Sequence, residues 1–224
     1  MSKQFMAVLA AVVVGLGLVF WFTGNHNKSN NGSSGSSSSN AQPTSHIEGK
    51  GKKNVTLVEY GDYECPVCGS FYSTVKQVAA QYNDDIYFQF RNLPLFQIHQ
   101  NAFAGARAAE AAGLQNKYFE MHDLLYEGQN TWSQSSNPLQ TFQTYAQQLN
   151  LDVNKFNTDY ASSAVNDAIQ ADLAAFNKTG QQEATPSFFL DGTYIENSKL
   201  IDNNGPSLRK FQAVIDAEIA EKNK

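Results

Sequence analysis

Cys65 and Cys68 are the only 2 cysteines in 224 residues, and only Pro66 and Val67 separate them. Two thiols at this spacing can close into one disulfide and reopen, so the chemistry they suggest is reversible thiol-disulfide exchange. Exchange needs unequal members: a thiolate that attacks, and a second sulfur close enough to resolve the mixed disulfide. A helix starting at the pair would supply that inequality. Its unpaired amides and the positive end of its dipole stabilise a thiolate at Cys65, while Cys68 lies one turn along and can reach the first sulfur. Three other uses compete. Half a zinc site would need more ligands, and His26, His46, His99 and His122 are scattered rather than at ligand spacing. A structural disulfide would close too small a loop to stabilise much. Two buried hydrophobes would explain neither Pro66 nor the helix start. No metal and no cofactor is expected.

The surrounding residues predict the elements that would hold such a pair. Residues 54–60, NVTLVEY, are β-branched and apolar with a single acid, as in a strand buried on both faces. Pro66 suits a first helical position, and Phe71, Val75, Val78 and Tyr82 recur at spacings of 4, 3 and 4 until Asn83-Asp84-Asp85 ends the helix. Residues 86–90 alternate as a second strand, and Leu93-Pro94-Leu95 leaves the sheet. Strand, helix and strand within roughly 40 residues predict parallel pairing and a right-handed crossover. From residue 99 to about 180 strand signals vanish, and helices are expected over 102–112, 117–126, 138–149, 152–160 and 164–176. The sheet resumes at 185–190, Asp191-Gly192 makes a hairpin turn into 193–195, and an amphipathic helix over 206–220 closes the chain. The fold class is α/β, in three layers, with a helical insertion.

These stretches resemble the thioredoxin-fold disulfide oxidoreductases, specifically their DsbA-like branch, over roughly residues 55–220. The resemblance is carried by Val58-Glu59-Tyr60-Gly61-Asp62-Tyr63-Glu64-Cys65-Pro66-Val67-Cys68, by Phe90-Arg91-Asn92-Leu93-Pro94-Leu95, by the alanine-rich helix after His99, and by Ala184-Thr185-Pro186-Ser187-Phe188. It implies a thioredoxin fold with an inserted helical domain. It further implies that Cys65 is the nucleophile, that Cys68 is the buried resolving thiol, and that Glu59 is a buried acid relaying a proton to or from Cys68. Pro186 would be cis and face the cysteines, Thr185 would offer backbone groups to a peptide substrate, and Pro66 and Val67 would lie against that substrate. One position departs from the pattern. Strongly oxidising members carry His where this chain has Val67, and Asp62 and Glu64 place negative charge close in sequence to Cys65, which disfavours a thiolate. The expected potential lies between the extreme oxidants and the reducing thioredoxins. The implied activity is extracytoplasmic: donation of a disulfide to unfolded or reduced exported polypeptides, with a membrane redox partner reoxidising the pair. The alternatives are a reductase or isomerase of the same fold, or a peptide-binding chaperone whose cysteines are structural.

The remaining sequence predicts how this body is attached. Residues 5–22 are apolar except for Gly15 and Gly17. At about 1.5 Å per residue this run sits at the lower edge of what crosses a hydrocarbon core of roughly 30 Å. It ends in Phe20, Trp21 and Phe22 rather than in small residues, which suits an uncleaved single-pass anchor over residues 1–23 better than a cleaved signal. Ser, Asn and Gly dominate residues 24–40, and a flexible linker is expected over 24–53, ahead of a folded domain at 54–224. The net charge of -5 comes from 16 basic and 21 acidic residues; five lysines and one acid fall before residue 54, leaving 11 basic and 20 acidic groups on the body. That sign argues against nucleic acid as a partner. Trp132, Tyr60, Tyr63 and Phe71 would either line an apolar groove or fill the core, and His99 and His122 read as packing or surface groups. Acceptor patterns for glycosylation at Asn27, Asn31, Asn54 and Asn177 matter only in a host that uses them.

Overall fold

A computed structural model describes residues 42–224; the expected anchor and most of the expected linker lie outside the described residues. Among the described residues no helix is long and apolar enough to cross a membrane. A five-stranded sheet forms the middle layer, with strands β1 (His46–Glu48), β2 (Val55–Gly61), β3 (Ile86–Asn92), β4 (Ser187–Leu190) and β5 (Thr193–Ile195) in the order β1-β3-β2-β4-β5. As the β-branched run predicted, β2 is central, parallel to β3 and antiparallel to β4, with Glu59 opposite Phe90 and Phe188. The crossover helix α1 (Pro66–Gln81) joins β2 to β3 and buries Cys68, Phe71, Thr74, Val75 and Val78.

Phe71 packs on Phe188 and on Phe211 of the closing helix, Leu208–Lys222, with ring centroids 5.4 and 6.3 Å away. Each such side chain contributes about 1.5–3 kcal/mol by leaving water. The other face of β2 carries Tyr60, which meets Phe176 and Phe189. Successive strand residues point to opposite faces, so Glu59 lies on the α1 side with the cysteines while Val58 and Tyr60 do not. The hairpin turn is as expected, with Asp191 and Gly192 both at positive φ, 45 and 82°.

The insertion contains α2 (Ala102–Gly113), α3 (Tyr118–Glu127), the short α4 (Gln129–Trp132), α5 (Pro138–Gln148), α6 (Val153–Tyr160) and α7 (Ser163–Asn177). All but α4 follow the sequence expectation. Trp132 is fully buried against Phe142, and its indole N–H donates to the Leu125 carbonyl at 2.8 Å. Trp132, Tyr60, Tyr63 and Phe71 are therefore core residues, not walls of an open groove.

The linker expected to run to Lys53 needs correction. His46–Glu48 is an edge strand antiparallel to β3, and the chain before it is held by buried groups. Asp172 of α7 accepts from the Thr44 backbone N–H and hydroxyl, both at 2.7 Å, and Glu110 of α2 meets His46 Nε2 at 3.0 Å. The strand is three residues long, mostly polar, and bounded by Ser and Gly. Its order comes from partners 64 and 128 residues away, which no local pattern reveals.

Candidate active site

Gly61 ends β2, and the chain turns through Asp62–Cys65 into α1. Cys65 is the N-cap with extended backbone (φ -65, ψ 120°), and Pro66 follows at the first helical position, where its missing N–H costs nothing. The two thiols are free and differ sharply. Cys65 is held at about 5, well below an ordinary thiol, first by a hydrogen bond from the Cys68 thiol, with the backbone N–H groups of Cys68 and Val67 adding to it against the cost of burial. Cys68 is fully buried, and burial, then the Cys65 sulfur, push its thiol far up. Across the sulfur lies the loop before β4: the Cys65 thiol donates to the Thr185 carbonyl at 3.6 Å, and the Thr185–Pro186 bond is cis. Pro66 is exposed and Val67 half exposed, on the rim beside the sulfur.

Glu59 is 2% exposed, and burial, with the Cys65 charge as a smaller cause, raises its carboxyl to about 8. It opens onto a small cavity of about 20 Å³, room for one water, whose wall includes Tyr72, Lys76, His122, Asp123 and Tyr126. The buried Tyr126 hydroxyl has no hydrogen-bond partner among the described residues. A protonated Glu59 on the cysteine side of the sheet, close enough for its charge to act on Cys68 and bordering a water-sized space, is suited to exchange a proton with the buried thiol. His122 is held down to about 3 by burial, so it is a neutral packing group among Tyr63, Phe90 and Tyr126, as the sequence suggested.

The expectation that Asp62 and Glu64 burden the Cys65 thiolate is not met. Asp62 is buried and accepts from the backbone N–H of Glu64 (2.8 Å) and of Leu95 (3.0 Å), and it pairs with His99 Nδ1 at 2.7 Å. Glu64 accepts from the Asn101 N–H at 2.5 Å. Both carboxylates thus face the segment between β3 and α2, and neither is among the groups that shift Cys65 most. His99, read from sequence as a packing or surface group, pins this turn instead. The missed residue is Gln129, whose amide donates to the Tyr63 and Cys65 carbonyls at 2.8 and 3.0 Å. It stands 64 residues from Cys65, and nothing in its own sequence context marks it.

Val67 leaves room for a further stabilising group. A Val67→His variant, with a protonated imidazole beside the sulfur, is expected to lower the Cys65 titration and raise the reduction potential by roughly 30 mV, about ten-fold in equilibrium with glutathione. A fall in potential would sink this account of the intervening dipeptide.

The thioredoxin family model matches residues 41–217. In sequence, the chain is 34% identical over 154 residues to a Na(+)/H(+) antiporter NhaA 1 from Mycobacterium sp. (strain KMS), covering 66% of this chain, and 36% identical over 149 residues to one from Salinispora arenicola. It spans only about a quarter of the length of these relatives (23 and 22%). In structure, it is similar to BdbD from Bacillus subtilis (TM-score 0.66, 21% identity, 80% of this chain and 97% of that one). It is also similar to α-DsbA1 from Wolbachia pipientis (TM-score 0.65, 25% identity, 81% and 94%). With most of its length matched by the family model, this chain belongs to the thioredoxin family.

Proposed function

We propose that the protein is a thiol-disulfide oxidoreductase that donates its Cys65–Cys68 disulfide to unfolded or reduced exported polypeptides. The observation that carries this reading is the inequality of the two thiols at the start of α1: Cys65 is held at about 5 and Cys68 is buried and pushed far up. A substrate thiolate attacks Cys65, and the Cys65–Cys68 bond breaks. Cys68 leaves as a thiolate and takes a proton from Glu59. A second substrate thiolate then attacks the substrate sulfur of the mixed disulfide and releases Cys65, whose stabilised thiolate is the better leaving group. A membrane redox partner must reoxidise the pair. A Cys65 near 5 lies between the roughly 7 of thioredoxin and the roughly 3.5 of the strongest oxidases, in keeping with a moderate oxidant.

Substrate chains would pair with the backbone at Thr185, beside Pro186, and pass over Pro66 and Val67. Val67, Phe96 and Ile98 are large apolar side chains at least half exposed, and the latter two follow Leu95, which is tied to Asp62 in the Cys65 turn. The apolar run at residues 5–22 supports a single-pass anchor in the cell membrane with the catalytic body outside the cytoplasm.

Alkylation trapping in living cells tests the direction of exchange. A donor keeps Cys65 and Cys68 mainly oxidised, whereas a mainly reduced pair would assign the protein to reduction or isomerisation. Cys65→Ser should abolish oxidation of reduced RNase. Retention of an aggregation-suppressing activity without any loss of function would favour the chaperone reading.

A further inference from the structure

Gln129 opens α4 and reaches out of the helical insertion into the turn that carries Cys65. Its Nε2 group donates to both the Tyr63 and the Cys65 carbonyls, so the Cys65 oxygen receives two donors, the other being the Gly69 N–H at 3.0 Å. The amide lies against Gly69: a Cβ there would stand 2.6 Å from Gln129 Oε1 and 3.1 Å from Cδ. The mounting is rigid. Trp132, three residues on, is fully buried, and the Asn101 amide donates to the carbonyls of Ser133 and Ser135, both at 2.9 Å.

We propose that Gln129 is a positioning residue: it ties the Cys65 turn to the helical insertion and keeps the Val67 and Cys68 amides aimed at the Cys65 sulfur. This inference rests on the exchange reading above. The physical reason is the placement of charge. The Tyr63 and Cys65 carbonyl oxygens carry partial negative charge in the turn beside the sulfur, where an uncompensated dipole disfavours a thiolate. Two amide hydrogens from Gln129 offset it, and the same bonds fix the peptide planes that set the direction of the following N–H groups. Gly69 belongs to this arrangement because any side chain there occupies the seat of the amide.

Two variants attack the contact from opposite sides. Gln129→Met keeps length and bulk but removes both donors, while Gly69→Ala leaves every polar group and displaces the amide, with Ala the better helix former. In each, the ultraviolet titration of the Cys65 thiolate should move up by about one pH unit, with the glutathione equilibrium about ten-fold toward the disulfide. The double variant should move little further, since both changes act on one contact. A purely structural role would lower the melting temperatures of oxidised and reduced forms alike and leave the titration midpoint unmoved, and that result would overturn the proposal. In the unaltered protein, the Gln129 side-chain amide resonances should shift with the Cys65 midpoint; resonances that stay still while Cys65 titrates would overturn it without any variant. A wild-type Cys65 that titrates as an ordinary thiol would instead overturn the exchange reading, and this inference with it.

Discussion

Cys68→Ala is expected to raise the Cys65 titration, to abolish disulfide donation, and to trap Cys65 in mixed disulfides formed when its thiolate attacks a substrate disulfide. These effects have separate causes. The hydrogen bond from the Cys68 thiol is the largest influence holding Cys65 near 5, and a hydrogen bond to a charged group is worth about 1.5–3 kcal/mol. Its loss therefore corresponds to an upward shift of roughly one to two pH units. The amides at the start of α1 remain, so the thiol should still titrate below its ordinary value. The trapping of mixed disulfides is kinetic. In the wild-type protein Cys68 can attack Cys65 of such a complex from one helical turn away and release the substrate; removing it leaves release to other thiols. Effective molarities of well-placed intramolecular groups reach about 10⁵ M and more, so escape of the complexes that Cys68 would have released should slow by at least about a thousand-fold. Non-reducing electrophoresis of extracts should then show accumulated mixed disulfides that disappear on reduction. If the variant still titrates near 5, the helix terminus alone suffices and the stated role of the Cys68 thiol is wrong.

Glu59→Gln should make the reduced protein more stable and the enzyme slower. In the folded protein the carboxyl is held at about 8, against an ordinary value of 4.5. Between those values the unfolded chain has released the proton while the folded one retains it, so the contribution of Glu59 to folding stability falls as pH rises through this window and levels off above about 8. At 1.36 kcal/mol per unit, the destabilisation from Glu59 at pH 7 is about 3 kcal/mol. Gln has no proton to lose. The variant should therefore gain stability of that order at pH 7 and little at pH 4, so that the difference between the two proteins widens with pH over the range between. Denaturant unfolding of the reduced forms across this range measures it, and parallel curves for the two proteins would sink the claim. The kinetic cost arises because Cys68 is fully buried and needs a proton donor or acceptor at hand. Losing a positioned acid-base group costs about a hundred-fold or more. The deficit should be largest near neutral pH and shrink in alkali, where solvent hydroxide competes.

These expectations rest on features that were unequally visible in the amino-acid order. The strand–helix–strand unit, the Asp191-Gly192 turn and the five main insertion helices were legible because each follows a local rule: an apolar run, a helical period, a turn that needs positive φ. Glu59 and Pro186 were singled out through a family resemblance, and the structure places Glu59 on the same face of the sheet as the cysteines because side chains alternate along β2. Asp62 and Glu64 were misjudged for the opposite reason. Their nearness to Cys65 in sequence suggested a field on the sulfur, while contacts with Leu95, His99 and Asn101 turn both carboxylates elsewhere.

By itself, then, the sequence determined that one cysteine pair sits at a helix start behind a buried strand, inside an α/β body with a helical insertion. Those properties depend on residues within a few positions of one another, where backbone geometry and side-chain periodicity act directly. Tertiary structure alone decided that residues 46–48 join the sheet edge, that Glu59 borders a water-sized cavity together with the Tyr126 hydroxyl, and that Gln129 bonds to the Cys65 turn. Each of these depends on hydrogen bonds or packing between segments tens of residues apart. Such partners become neighbours only when the core closes, and no spacing along the chain encodes which of them will meet.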